Sequence, residues 1–194
     1  MKRDLILVID MQNAYAKGGV WCCPNAAKAG KNISRVLEGM KKDADVIFTK
    51  FLASDEPQGT WKEYNRVNAS VNADTFANEI MGEFQEDVKS FPIYQKSTYS
   101  SLQIPEVKEA AKKADRVVLT GVVAECCVLA TAFALIDEGI NVVYLTDAVA
   151  GIDDETEDAV QKVLEGLTPT QVNLMTTEEY LKRMGKGEEN GKHF

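Results

Sequence analysis

The chain has 194 residues, 45% of them apolar, with a net charge of −8. That length holds one domain with a sizeable core, and the apolar content excludes a disordered chain. No apolar run approaches the ~20 residues that cross a bilayer, and the acidic balance argues against binding a nucleic acid backbone or an anionic membrane surface.

The N-terminal stretch leads directly into a five-residue apolar run, too short for the core of a signal peptide. A cytoplasmic location is therefore the expectation. Four cysteines stand as two adjacent pairs, Cys22-Cys23 and Cys126-Cys127, and neither has metal-site or thioredoxin-like spacing. The one histidine is His193. Mechanisms that need a core histidine as base or metal ligand are nearly excluded, so neither a cofactor nor a metal is expected.

Taken in chain order, residues 5–9 form the first continuous apolar run, the pattern of a strand buried on both faces. Pro24-Asn25 precedes a helical stripe through Ala29, Ile33, Val36, Leu37 and Met40. A second strand is expected over 46–51. Residues 52–90 carry little strand signal and read as a helical excursion or lid-like insertion, with Trp61 and Tyr64 at helical spacing. Weaker strand signal returns at 91–95. Pro105 suits a first helical position, with Val107, Ala110, Ala111 and Ala114 behind it.

Residues 117–123 give another strand, broken by Thr120 and Gly121. An apolar helix follows over 127–138, and Gly139 stands where a C-terminal cap belongs. Strands over 142–145 and 172–175 flank a stripe of Ala159, Val160, Val163, Leu164 and Leu167. Thr176 with Glu179 reads as a capping box for a last helix. Alternating strands and helices predict a doubly wound α/β domain with a parallel sheet. The domain is expected over residues 1–184, with a polar, unstructured tail over 185–194.

Ligands of such sheets bind beyond the carboxyl ends of the strands. Asp10 closes the first strand, and a carboxylate after five apolar residues is costly unless paired or used. A cap or core salt bridge would also account for it. Asn13 could orient it. A phosphatase would want a second aspartate two residues on, where Gln12 stands instead. Lys96 follows the strand at 91–95 and by itself reads as a surface lysine. Cys127 follows the strand at 117–123 and starts a helix, where free amides and the macrodipole favour a thiolate. A small buried packing residue is the plainer reading, and Cys126 shares the position. Together, a thiol, a carboxylate and an ammonium on three strand ends suffice for nucleophilic hydrolysis without histidine.

The motifs D-x-Q-N from Asp10, K-S-x-Y-S from Lys96, and G-V-x-x-x-x-C-V from Gly121 resemble the isochorismatase-like cysteine hydrolases. That superfamily includes nicotinamidases, N-carbamoylsarcosine amidases and isochorismatases. The resemblance spans about residues 4–182. It implies a three-layer αβα fold with a six-stranded parallel sheet in the order 3-2-1-4-5-6, and a homodimer or homotetramer. It also implies a triad of Asp10, Lys96 and Cys127, which selects Cys127 over Cys126. A cis peptide at Val122-Val123 and an oxyanion hole of the Val123 and Cys127 amides follow from the same likeness.

The departures narrow the activity. Nicotinamidases of the superfamily hold a metal with Asp and His just after strand two, where this chain reads Phe51-Leu52-Ala53-Ser54-Asp55. Isochorismatases commonly lack the cysteine, so its presence favours C–N hydrolysis of a small carboxamide, carbamoyl or ureido compound through a thioester. Ala124-Glu125 replaces the usual Thr-Asp. For the substrate pocket, Asn13, Trp21, Phe51, Trp61, Tyr64 and Tyr99 are the candidates, with Cys22 and Cys23 packing nearby. A non-catalytic binding or scaffold protein on the same fold, an ether hydrolase of the isochorismatase type, and a redox sensor are the competing readings.

Overall fold

The structure is a computed structural model that describes residues 3–40 and 42–185. Nine residues of the expected tail, and His193 with them, lie outside the described residues. Six strands form one sheet: β1 (Asp4–Ile9), β2 (Ala44–Phe51), β3 (Ile93–Lys96), β4 (Val117–Val122), β5 (Val142–Ala150) and β6 (Val172–Met175). All pairs are parallel and the order is β3-β2-β1-β4-β5-β6. This is the expected α/β architecture and strand order. The reversal of winding between β1 and β4 opens a crevice at their carboxyl ends.

Every residue of β1 and β4 is buried, which is why both read as mainly apolar runs. Helix α1 (Ala26–Met40) and α8 (Thr177–Gly185) cover one face. Ile33, Val36, Leu37 and Tyr180 pack there on Ile6, Val8 and Phe48. Helices α5 (Pro105–Lys113), α6 (Leu129–Asp137) and α7 (Asp154–Glu165) cover the other. Val107, Leu135 and Leu164 meet Leu5, Leu7 and Leu119 on that side. No helix among the described residues is long and apolar enough to cross a membrane.

The excursion between β2 and β3 is helical. It holds α2 (Trp61–Val67), α3 (Ala69–Ala73) and α4 (Thr75–Asn78), joined by short turns. It folds back onto the exit of β1, where Asn13 N donates to Glu79 O and Met81 N donates to Met11 O. The caps follow the expected chemistry. Gly139 has φ of +72°, and Ile140 N reaches Leu135 O to close the last turn of α6. Thr176 N donates to Glu179 Oε2, and Glu179 N donates to Thr176 Oγ1, so the capping box opens α8.

Strands β2, β3 and β4 shift by one or two residues at an end from the sequence expectation, and two elements differ more. Strand β5 continues past residue 145 through Thr146 and Asp147 to Ala150. The polar pair is tolerated because Asp147 has partners: Thr177 donates its amide and hydroxyl to the Asp147 carboxylate, and Asn32 donates to its carbonyl. The helix expected over 127–138 begins as a wide π turn, Ala124–Val128, before α6 proper.

Candidate active site

Asp10, Lys96 and Cys127 come together beyond the carboxyl ends of β1, β3 and β4. Lys96 Nζ lies 2.6 Å from Asp10 Oδ2, donates to Cys127 Sγ at 3.2 Å and donates to Thr98 O at 3.1 Å. All three ammonium hydrogens are therefore engaged. The residues are 0%, 5% and 3% exposed for Asp10, Lys96 and Cys127, so these charges meet in a water-poor site. Asp10 also accepts from Thr49 Oγ1 at 2.8 Å.

Local backbone aims these side chains. Asp10 has φ of 52°, a left-handed conformation that aspartate tolerates better than most residues. The turn swings its side chain off the strand axis. Gly121 has φ of +104° and passes so close to β1 that a Cβ would sit 2.1 Å from Ile9 O; only glycine fits there. The Val122–Val123 peptide is cis. The Val123 carbonyl then accepts from both Cys126 N and Val128 N, which closes the turn. Thr131 Oγ1 donates to Cys127 O and accepts from Ser101 N, tying α6 to the segment after β3.

The electrostatics correct one expectation. Burial pushes the Cys127 thiol well above its ordinary value, and the Asp10 carboxylate adds to it; Lys96 opposes both without overcoming them. Burial thus works against the thiolate that the start of a helix favours. Burial works against the Lys96 ammonium, but Asp10 and Cys127 outweigh it and raise its pKa. Lys96 stands between the Asp10 carboxyl group and the Cys127 sulfur.

A cavity of about 370 Å³ opens onto Cys127. Trp21, Tyr64 and Tyr99 line it, while Phe51 and Trp61 stand behind them. The rings make a continuous wall: Trp21–Phe51 at 6.2 Å, Phe51–Trp61 at 6.1 Å and Trp61–Tyr99 at 4.9 Å between centroids. Lys96 Nζ lies 5.6 Å from the Phe51 ring centre. Asn13 falls elsewhere. Its amide donates to Phe76 O, so it fastens the insertion instead of facing the cavity.

Other groups escaped sequence reasoning. Tyr15, Val20 and Ile152 line the cavity, although no motif marks them. Cys22, Cys23 and Cys126 line it too. Gln12 is fully buried. It donates to Phe51 O and accepts from Phe51 N, holding the end of β2 against β1. Its place in D-x-Q-N was the available signal. Glu125 Oε1 accepts from Ile152 N, linking the nucleophile turn to the loop after β5. A more open groove of about 820 Å³ lies beyond Lys96, between residues 52–55 and 103–106, and does not reach Cys127. Among the described residues, no group of three His, Cys, Asp or Glu side chains could hold a metal ion.

Comparison with known proteins places this geometry. No curated protein matches the chain. Among solved structures, an isochorismatase-like hydrolase from Alkaliphilus metalliredigens is 22% identical, with a TM-score of 0.73 over 94% of this chain and 99% of that one. A cysteine hydrolase from Pseudomonas syringae pv. phaseolicola is 19% identical, with a TM-score of 0.81 over 95% and 93%. An N-carbamoylsarcosine amidase from Thermoplasma acidophilum is 22% identical, with a TM-score of 0.70 over 91% and 97%. These likenesses are of fold. The Isochorismatase domain model matches residues 4–179, and the chain belongs to the isochorismatase-like hydrolase family.

Proposed function

We propose that the protein hydrolyses a C–N bond of a small carboxamide, carbamoyl or ureido compound through a thioester on Cys127. The observation that carries this reading is the buried contact set: one ammonium within 3.2 Å of the thiol sulfur and 2.6 Å of a carboxylate.

The resting thiol is neutral, so attack and deprotonation are coupled. As Cys127 Sγ bonds to the carbonyl carbon, Asp10 takes the thiol proton. The amides of Val123 and Cys127 receive the negative oxygen. Asp10 returns the proton to the leaving nitrogen, the C–N bond breaks, and the amine departs. Water then attacks the thioester with Asp10 again as base, releasing the acid and restoring the thiol. Lys96 holds the Asp10 carboxylate in place and offsets the negative charge that passes between carboxyl group and sulfur. Trp21, Tyr64 and Tyr99 form the apolar body of the substrate site, backed by Phe51 and Trp61, which suits a small organic amide. A homodimer or homotetramer is the assembly that the family likeness supports.

The test is ammonia or amine release from a panel of small amides and ureas. Cys127→Ser and Asp10→Asn are each expected to lose at least about 10³-fold in kcat while remaining folded. A folded Cys127→Ala protein that keeps full turnover would overturn the proposal.

A further inference from the structure

The cavity above Cys127 has an unbalanced charge. None of its lining side chains is Lys, Arg or His. Lys96 is already shared among Asp10, Cys127 and Thr98. The wall does contain the Glu125 carboxylate. Its Oε2 atom is buried and has no hydrogen-bond partner, and its Oε1 accepts from the Ile152 amide at 3.3 Å. Burial raises the pKa of this carboxyl group against the opposing backbone bonds of Glu125 and Ile152, and Asp153 and Glu157 raise it further. It is a carboxylate in a partly desolvated place, near two other carboxylates, with no cation beside it.

The rest of the wall has the same preference. Tyr15, Trp21, Tyr64 and Tyr99 line the cavity, with Trp61 packed 5.1 Å from Tyr64 and 4.9 Å from Tyr99. Aromatic faces attract a desolvated cation through their quadrupoles, and several rings around one space favour alkylated ammonium groups. A substrate carboxylate would meet ring faces and Glu125, with no counter-ion. The mouth is flanked by Val20 and Ile152, which are 74% and 61% exposed and offer no anion-binding group.

We propose that the cavity selects amides or ureides whose non-reacting end is a small ammonium or alkylammonium group, held between the aromatic faces and the Glu125 carboxylate, and disfavours those that carry a carboxylate. The reacting end rests on the hydrolase reading above; the selectivity does not. An ammonium beside Glu125 would favour its ionised form against the burial that raises its pKa, and the reacting carbonyl lies at Cys127.

Three primary amides of matched size test this. They are trimethylammonioacetamide, its uncharged carbon isostere 3,3-dimethylbutanamide, and malonamate, which carries a carboxylate in place of the ammonium head. Binding is measured to the Cys127→Ala protein by quenching of tryptophan fluorescence. The cation is expected to bind about tenfold more tightly than its neutral isostere, and malonamate more weakly than either. Glu125→Gln, added to the same protein, is expected to reduce the cation-to-neutral ratio at least about threefold. Equal binding of cation and isostere, or tightest binding of malonamate, would overturn the proposal. An unchanged ratio in the Glu125→Gln protein would remove Glu125 from it. Ammonia release by the unmodified protein is read separately: preferential cation binding without hydrolysis supports the selectivity and counts against the reaction.

Discussion

Asp10 sits at φ 52° with an ammonium and a hydroxyl gathered around one carboxyl group. A non-glycine residue in the left-handed region costs of order 1–3 kcal/mol and persists where its surroundings hold it. Asparagine tolerates that conformation, so Asp10→Asn separates the loss of charge from backbone damage. The Lys96–Asp10 pair behaves differently. Removing one member of a buried pair leaves the other charge without compensation. Lys96→Met is therefore expected to lower unfolding stability by about 3–5 kcal/mol, measured by urea denaturation, as well as to lose activity. A stability unchanged within about 1 kcal/mol would mean that Asp10 is not charged in the folded protein. Asp10 stood out in the sequence because it breaks an apolar pattern at a strand end, and Cys127 because it starts a helix after a strand within the G-V-x-x-x-x-C-V motif. The cavity wall did not. Tyr15 and Val20 come from the connection between β1 and α1, and Ile152 from the loop after β5; no local pattern connects them. The protonation state of Cys127 was also illegible, because a helix start predicts a thiolate while three-dimensional burial reverses the outcome.

At the scale of elements, the parallel strands were legible because burial on both faces forces continuous apolar runs. The end of β5 was not, since Thr146 and Asp147 look like a turn until α8 and Asn32 supply their partners. The weak β3 signal has a similar cause: it is the edge strand, and Ile93, Tyr94 and Gln95 remain partly or fully exposed. Helix α8 is fastened at the other end of the sheet from the site. Tyr180 OH donates to Asp4 Oδ2 at 3.0 Å, and Arg116 makes two bonds to the same carboxylate at 3.0 and 2.9 Å. Tyr180→Phe keeps the packing and removes one hydrogen bond to a charged group, so a loss of about 1–2 kcal/mol is expected. Thermal unfolding checks it, and kcat is expected to stay as it was, because the change lies at the amino ends of the strands.

At the scale of the whole molecule, several buried groups push stability in one direction with pH. Burial raises the thiols of Cys127 and Cys23, the latter to about 12, and the hydroxyl of Tyr64 to about 12. Lys96 is also raised. Each folded value exceeds the unfolded one, so the unfolded chain releases protons first as pH rises. Their contribution is complete below the unfolded thiol value of ~8.5 and is lost as pH climbs toward the folded values. The net charge of −8 adds repulsion of the same sign. The urea midpoint is expected to be flat from about pH 6.5 to 8 and to fall steadily from about pH 9 to 11. Cys127→Ala should make that fall shallower. An alkaline branch unaffected by the substitution would show that the thiol is not raised.

The account rests on a neutral Cys127 thiol whose proton is controlled by Asp10, and the alkylation rate of Cys127 as a function of pH tests this most directly. Peptide mass spectrometry after iodoacetamide treatment reads the rate at this one cysteine. In the unmodified protein the reaction is expected to be slow at pH 7 and still accelerating above about pH 9, where an ordinary thiol of pKa ~8.5 is approaching its plateau. Asp10→Asn removes the negative charge and leaves Lys96 facing the sulfur. It is expected to speed alkylation at pH 7 by about tenfold for each unit that the thiol pKa falls, while turnover is lost. Fast alkylation of the unmodified protein at pH 7, or an Asp10→Asn protein that reacts no faster, would contradict the account.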